Sequence, residues 1–123
     1  MLNLQGYSKK KRKKIGYIYH DVCRRISDSG VNILIDVVCL FDDIRNKNRK
    51  FFKNYIEIYI DADITKIRKR KDKSFYKNKT INVWGVDLKA ELPKKPDILI
   101  KNDFSKSIKL ISSEILKKIK KFR

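Results

Sequence analysis

Three short runs of aliphatic and β-branched residues set the outline of this chain. They are Val31-Asn32-Ile33-Leu34-Ile35-Asp36-Val37-Val38, Tyr55-Ile56-Glu57-Ile58-Tyr59-Ile60 and Ile98-Leu99-Ile100. Each is too short for a stable lone helix, and the first and third read as strands buried on both faces of a parallel sheet. Each is followed by a helical pattern: Asp43 to Phe52, Asp63 to Lys71, and Phe104 to Phe122. Strands alternating with helices imply an α/β sandwich around a mostly parallel sheet.

The first helix precedes the strands. Ser8 can cap it, Gly30 can end it, and Ile15, Ile18, Tyr19, Val22 and Ile26 recur at helical spacing as one apolar stripe. In the last helix Ile108, Ile111, Ile115, Ile119 and Phe122 share a face. Pro93 and Pro96 fix φ and remove backbone donors, so a loop leads into Ile98. Residues 72–92 lack clear periodicity and are mostly polar, which suits a long loop of the kind that serves as a lid.

One domain over residues 1–123 is the expectation from length. No apolar run is long enough to span a bilayer, and lysines follow Met1-Leu2-Asn3-Leu4-Gln5-Gly6 where the core of a signal peptide belongs. A cytoplasmic location with reduced Cys23 and Cys39 is expected. The net charge of +18 attracts polyanions, and it also fits lysines spread over a solvated surface.

Beyond these patterns, the wording of several segments resembles the adenylylsulfate kinases. Asn82-Val83-Trp84-Gly85-Val86-Asp87 followed by Glu91-Leu92-Pro93-Lys94-Lys95-Pro96-Asp97-Ile98-Leu99-Ile100 is similar to the segment after the mobile lid of that family. Gly6-Tyr7-Ser8 with Arg12 matches the family's G-[FY]-S-x-x-x-R. Tyr55 to Asp61 matches [FY]-x-E-[IV]-[FY]-[IV]-D, and Arg70, Lys73 and Tyr76 are kept from the family's R-D-x-K-G-L-Y. The segment from Tyr76 to Asn82 is shorter than its family counterpart, so the lid is trimmed.

The resemblance implies a three-layer, P-loop kinase-like parallel sheet. It implies ATP and Mg²⁺ as donor and cofactor, and adenosine 5′-phosphosulfate as the acceptor phosphorylated on its 3′-hydroxyl. Arg12, Cys39, Leu40, Phe41 and Lys77 fall on substrate-binding positions, with a guanidinium suited to gripping phosphate or sulfate oxygens in two places. Arg70, Lys73, Tyr76, Asn82 and Gly85 fall on nucleotide and lid positions, and Arg45 and Arg49 on paired arginines that face an anion or solvent. Ile15 stands where the family has a substrate-touching asparagine, and Cys39 where it has a serine.

No Walker A loop, G-x-x-x-x-G-K-[ST], occurs, since Gly6, Gly16, Gly30 and Gly85 frame none. The family's catalytic carboxylate segment is absent too, so no catalytic or metal-binding residue is assigned. Ile33-Leu34-Ile35-Asp36 and Ile58-Tyr59-Ile60-Asp61 have the shape of Walker B strands, but any strand followed by an acidic residue matches. The resemblance therefore implies an incomplete sheet, lacking its first strands and P-loop, in an N-terminally truncated domain. Low or no kinase activity alone is expected. The alternatives are a non-catalytic nucleotide-binding half that needs a separate N-terminal partner and a basic nucleic-acid-binding protein; a homodimer or a complementing N-terminal half is the partner arrangement in view.

Overall fold

The computed structural model describes residues 8–38, 40–69, 84 and 88–122. The chain divides into two compact units, Met1–Tyr55 with Ile81–Leu92, and Ile56–Thr80 with Pro93–Arg123.

The first unit is built on helices α1 (Lys9–Asp28) and α2 (Asp42–Phe51). Ser8 caps α1 as its residue type suggests, its hydroxyl accepting from Lys11 N at 3.3 Å. At the far end Gly30 takes a φ of +80° and donates to Ser27 O, a left-handed stop that suits glycine. α2 starts without a side-chain cap of its own on Phe41. Its orphan donors are met by carboxylates: Asp42 N donates to Glu91 Oε2 at 2.8 Å, from outside the helix, and Ile44 N to the neighbouring Asp43 Oδ1 at 3.0 Å. Asp42 and Asp43 also place negative charge at the positive end of the helix dipole.

The face of α1 that meets α2 is not the apolar stripe expected from the sequence. The seam runs through Lys13, Gly16, Tyr17, His20 and Asp21. Lys13 and Tyr17 both reach Asp43 at 2.7 Å, and His20 Nδ1 meets Asn48 Oδ1 at 2.6 Å. His20 is buried edge-on between Phe51 and Phe52. Gly16 makes the seam close: a Cβ there would lie 2.5 Å from Ile44 Cδ1. Tyr19, Val22 and Ile26 stay exposed. The reason is that α2 offers carboxylate, amide and one isoleucine rather than a broad apolar surface. The polar partners therefore choose the face.

The run Val31 to Val38 does not form the expected strand. Its backbone has no strand pairing among the described residues, and its side chains are exposed, Leu34 to 92% and Val38 to 71%. β-branched composition favours extended backbone, but a strand needs a ladder partner for its N–H and C=O groups.

The second unit holds the parallel pair β1 (Ile58–Asp61) and β2 (Ile98–Lys101), in register from Ile58 opposite Ile98 to Asp61 opposite Lys101. β1 starts three residues later than the apolar run. There Glu57 N donates to the Asp97 carboxylate at 2.8 Å while Glu57 O accepts from Ile98 N at 3.1 Å. The Asp97 side chain thus closes the ladder just after Pro96, which has no N–H to give. β2 was expected to be buried on both faces. Only one face is covered: Ile98 and Ile100 are 2% and 1% exposed, while Leu99 and Lys101 point to solvent. That alternation is the period of a half-buried strand.

Among the described residues this unit also holds α3 (Ile64–Lys69) and α4 (Ile108–Ile119), the latter ending in a 3₁₀ turn over Lys120–Phe122. Asp63 heads α3, its Oδ1 accepting from Thr65 N at 2.6 Å. α4 starts at Ile108, not at Phe104 as the pattern suggested. Asn102 and Asp103 fold back onto Phe104 N and Ser105 N, and Phe104 has a φ of +68°, which no helix admits. Ser107 then caps, accepting from Leu110 N at 3.3 Å. Ile111, Ile115 and Ile119 are partly covered, but Ile108 and Phe122 are exposed, so the packed face is shorter than the apolar stripe.

Candidate functional site

The residues singled out by sequence that fall within the described region gather mainly in the first unit. Phe41, Ile44 and Trp84 form a buried apolar cluster, against which Tyr17, Leu40, Leu88 and Ala90 pack. The Phe41 and Trp84 rings meet edge to face with centroids 5.3 Å apart, a favoured aromatic geometry. Phe41, offered by the resemblance as a stacking surface, is 2% exposed, because Trp84 covers it.

Cations rest on the two rings. The Arg12 guanidinium lies 5.8 Å from the Trp84 centroid and Lys13 Nζ lies 5.9 Å from that of Phe41. Lys9 approaches Glu91 at 3.6 Å. These three cations occupy the first turns of α1, where the dipole disfavours positive charge and favours an anion. Partial burial pushes the Asp43 carboxyl up, but bonds from Lys13 and Tyr17 outweigh it and hold the group below the usual carboxylate range. The bond to Asp43 in turn raises Lys13 and Tyr17. The pair therefore holds Asp43 as a carboxylate beside a protonated Lys13.

The paired arginines part company. Arg45 is 7% exposed and is held by Asp42 and by the backbone carbonyl of Glu91. It fastens α2 to the segment around Glu91. Arg49 is exposed and lies over the Tyr55 ring at 5.4 Å. Arg12, Leu40 and Phe41 are thus brought together, whereas Arg45 and Arg49 point to other partners. Cys39, Lys77, Arg70, Lys73, Tyr76, Asn82 and Gly85 lie outside the described residues.

Sequence reasoning missed two participants. Trp84 is the floor under Arg12, and its signal was that it is the chain's single tryptophan, next to Gly85. Glu91 caps α2 and draws in Arg45, a role that no local pattern announces because its partners lie far away in sequence.

In the second unit an open cleft of about 340 Å³ lies at the carboxyl ends of the two strands, lined by Asp61, Asp63, Lys66, Lys101, Asn102 and Asp103. Open parallel sheets take ligands at such ends. Here the carboxylates are already engaged: Asp61 pairs with Lys101, Asp63 caps α3, and Asp103 holds Ser105. Among the described residues no group of His, Cys, Asp and Glu could hold a metal ion. The described residues therefore do not fit a Mg²⁺ site. Among them no helix is long and apolar enough to cross a membrane.

Comparison with known proteins adds a family. Residues 2–101 match the model of the adenylylsulphate kinase family. A cytidine diphosphoramidate kinase from Campylobacter jejuni is 34% identical over 98 residues, 76% of this chain and 57% of that protein. An adenylyl-sulfate kinase from Clostridium acetobutylicum is 32% identical over 85 residues, 65% of this chain and 42% of that protein. One from Clostridium kluyveri is 31% identical over the same length, 65% and 43%. The chain thus spans about half the length of these curated relatives.

Proposed function

The chain belongs to the adenylylsulphate kinase family, and from that premise we propose that it carries the acceptor-gripping and lid-bearing portion of an ATP-dependent nucleotide kinase. The reaction is transfer of the γ-phosphoryl group of ATP to the 3′-hydroxyl of adenosine 5′-phosphosulfate, which releases ADP and belongs to sulfate activation. The single observation that carries the reading is the family match over residues 2–101.

Within that reading Arg12 is the anion-gripping side chain. A guanidinium fork suits a phosphosulfate, and Trp84 and Phe41 beneath it limit the conformations it samples. Arg45 has a positioning role, tying α2 to the Glu91 segment. The lid role falls to the polar residues ahead of Trp84, because Trp84, Leu88 and Ala90 belong to the buried cluster and Glu91 is fastened to α2. Phosphoryl transfer also requires a charge cradle on the β- and γ-phosphates, and these 123 residues contain no Walker A loop to supply it. The 123-residue chain by itself therefore binds acceptor without turning it over.

Isothermal titration with adenosine 5′-phosphosulfate tests the acceptor claim. Saturable binding, weakened about tenfold or more by Arg12→Ala, is expected from the loss of a bidentate charged contact. Absence of saturable binding would overturn it. Cytidine 5′-diphosphate is the second probe, because one relative's name specifies a cytidine nucleotide. Stronger binding of the cytidine compound would move the acceptor to that class. A coupled assay for ADP release is expected to stay at background, and turnover there would refute the missing cradle.

A further inference from the structure

We infer that Glu91 is a positioning residue of the acceptor site, holding Phe41 and the tryptophan that covers it in one arrangement; the inference rests on the acceptor reading above. The need for it begins at Phe41. This residue stands at the N-cap of α2, where Ser, Thr, Asp or Asn would supply a side-chain oxygen to the first free N–H groups. A phenyl ring supplies none, and this ring is committed to the buried cluster with Ile44 and Trp84. Glu91 brackets the position instead. Its backbone N–H donates to Leu40 O at 3.3 Å, and its carboxylate Oε2 accepts from Asp42 N at 2.8 Å. The residues on either side of Phe41 are thus both tied to it.

Two further contacts converge on the same residue. Buried Arg45 donates to the Glu91 carbonyl, and Lys9 at the head of α1 lies 3.6 Å from Oε1. Leu88 and Ala90, just ahead of Glu91, pack against the cluster of Phe41, Ile44 and Trp84. Pro93, two residues on, already belongs to the other unit. Within the first unit Glu91 therefore anchors the end of the segment that carries Trp84, and Trp84 is the surface under Arg12. It acts on the guanidinium through the two rings, not by contact with the acceptor. What it contributes is reach rather than charge. Two of its ties use the peptide group, and the Asp42 N–H needs only an oxygen at the right distance. The pair with Lys9 is long and both partners are well exposed, so its charge adds little.

Two conservative variants of the full chain separate reach from charge. Glu91→Asp keeps the charge and shortens the side chain by a methylene. Glu91→Gln keeps the reach and removes the charge. Trp84 is the chain's single tryptophan, so its fluorescence reports whether the indole stays buried against Phe41. Glu91→Asp is expected to shift the emission to the red and to weaken binding of adenosine 5′-phosphosulfate about fivefold, the scale of one lost hydrogen bond. Glu91→Gln is expected to keep the wild-type emission and an affinity within about twofold of wild type. Ser107→Ala, which removes a cap in the second unit, controls for lost stability and should move neither reading. Wild-type emission in Glu91→Asp, equal effects of the two Glu91 variants, or the same change in Ser107→Ala overturns the inference. A red shift with unchanged affinity overturns the role at the acceptor site. If the wild-type chain binds no adenosine 5′-phosphosulfate, the acceptor reading falls, and the emission alone decides whether Glu91 holds Trp84 on Phe41.

Discussion

Val31 to Val38 and Ile98 to Lys101 look alike in sequence and end differently. Both are rich in isoleucine, leucine and valine. The shorter one is a strand with two side chains at 2% and 1% exposure, and the longer one is an open stretch. The difference lies in the neighbours. Ile98 N finds Glu57 O, Asn102 N finds Asp61 O, and Lys118 reaches over from α4 to the Leu99 carbonyl at 3.2 Å. The longer run has no such ladder among the described residues. Local apolarity raises the return on forming a strand, but the hydrogen-bonded partner decides whether one forms.

The largest effect should separate these two runs. Ile100→Ala removes a buried side chain from the paired strand and is expected to cost about 2–4 kcal/mol in urea unfolding. Leu34→Ala removes an exposed one and should stay within about 0.5 kcal/mol. If both cost the same, residues 31–38 are covered in solution and the contrast is broken.

A second comparison sets the two arginines of one R-x-x-x-R spacing against each other. Arg45→Leu leaves Asp42 and the Glu91 carbonyl without their donor and is expected to cost about 1–3 kcal/mol. Arg49→Leu, at an exposed position over Tyr55, should change stability by less than about 1 kcal/mol. Equal losses would mean that burial does not distinguish them. Nothing in the spacing separates this pair, since Arg45 is chosen by Glu91, forty-six residues on.

What could be read beforehand follows the same line. Features closed within a few residues were legible: the Ser8 cap, the Gly30 stop, the α2 span and the proline entry to β2. Features that depend on distant partners were not. The polar seam of α1 is set by Asp43 and Asn48, and the edge-on cover of Phe41 by Trp84. In the candidate site, motif spacing brought out Arg12, Leu40 and Phe41, which do assemble. It could not say that the Phe41 ring would be covered.

A smaller effect distinguishes Ser107 from Phe104 as the start of α4. Ser107→Ala should cost about 1 kcal/mol through the lost cap to Leu110 N. Phe104→Gly should cost less or even stabilise, because its φ of +68° suits glycine. A larger loss at Phe104 would move the helix start back to the position that periodicity suggested.

The smallest expected effect contrasts the two ends of β1. At its start the Asp97 carboxylate serves the backbone, and at its end Asp61 takes bonds from Lys101 and Tyr59. The Lys101 ammonium foremost, aided by the Tyr59 hydroxyl, holds Asp61 below the usual carboxylate range despite some burial. A depressed folded-state value means that the ionised group adds stability above its unfolded value of about 3.9, and that this is lost as pH falls through the lower folded value. Acid titration of unfolding free energy should therefore show wild type and Asp61→Asn converging below about pH 4 and parallel above about pH 5. Lys101 is largely exposed, so the gap at neutral pH should be small and should narrow further in salt. A gap that instead widened in acid would mean that Asp61 is protonated in the folded state, and that the strand ends are joined through Tyr59 rather than through the lysine.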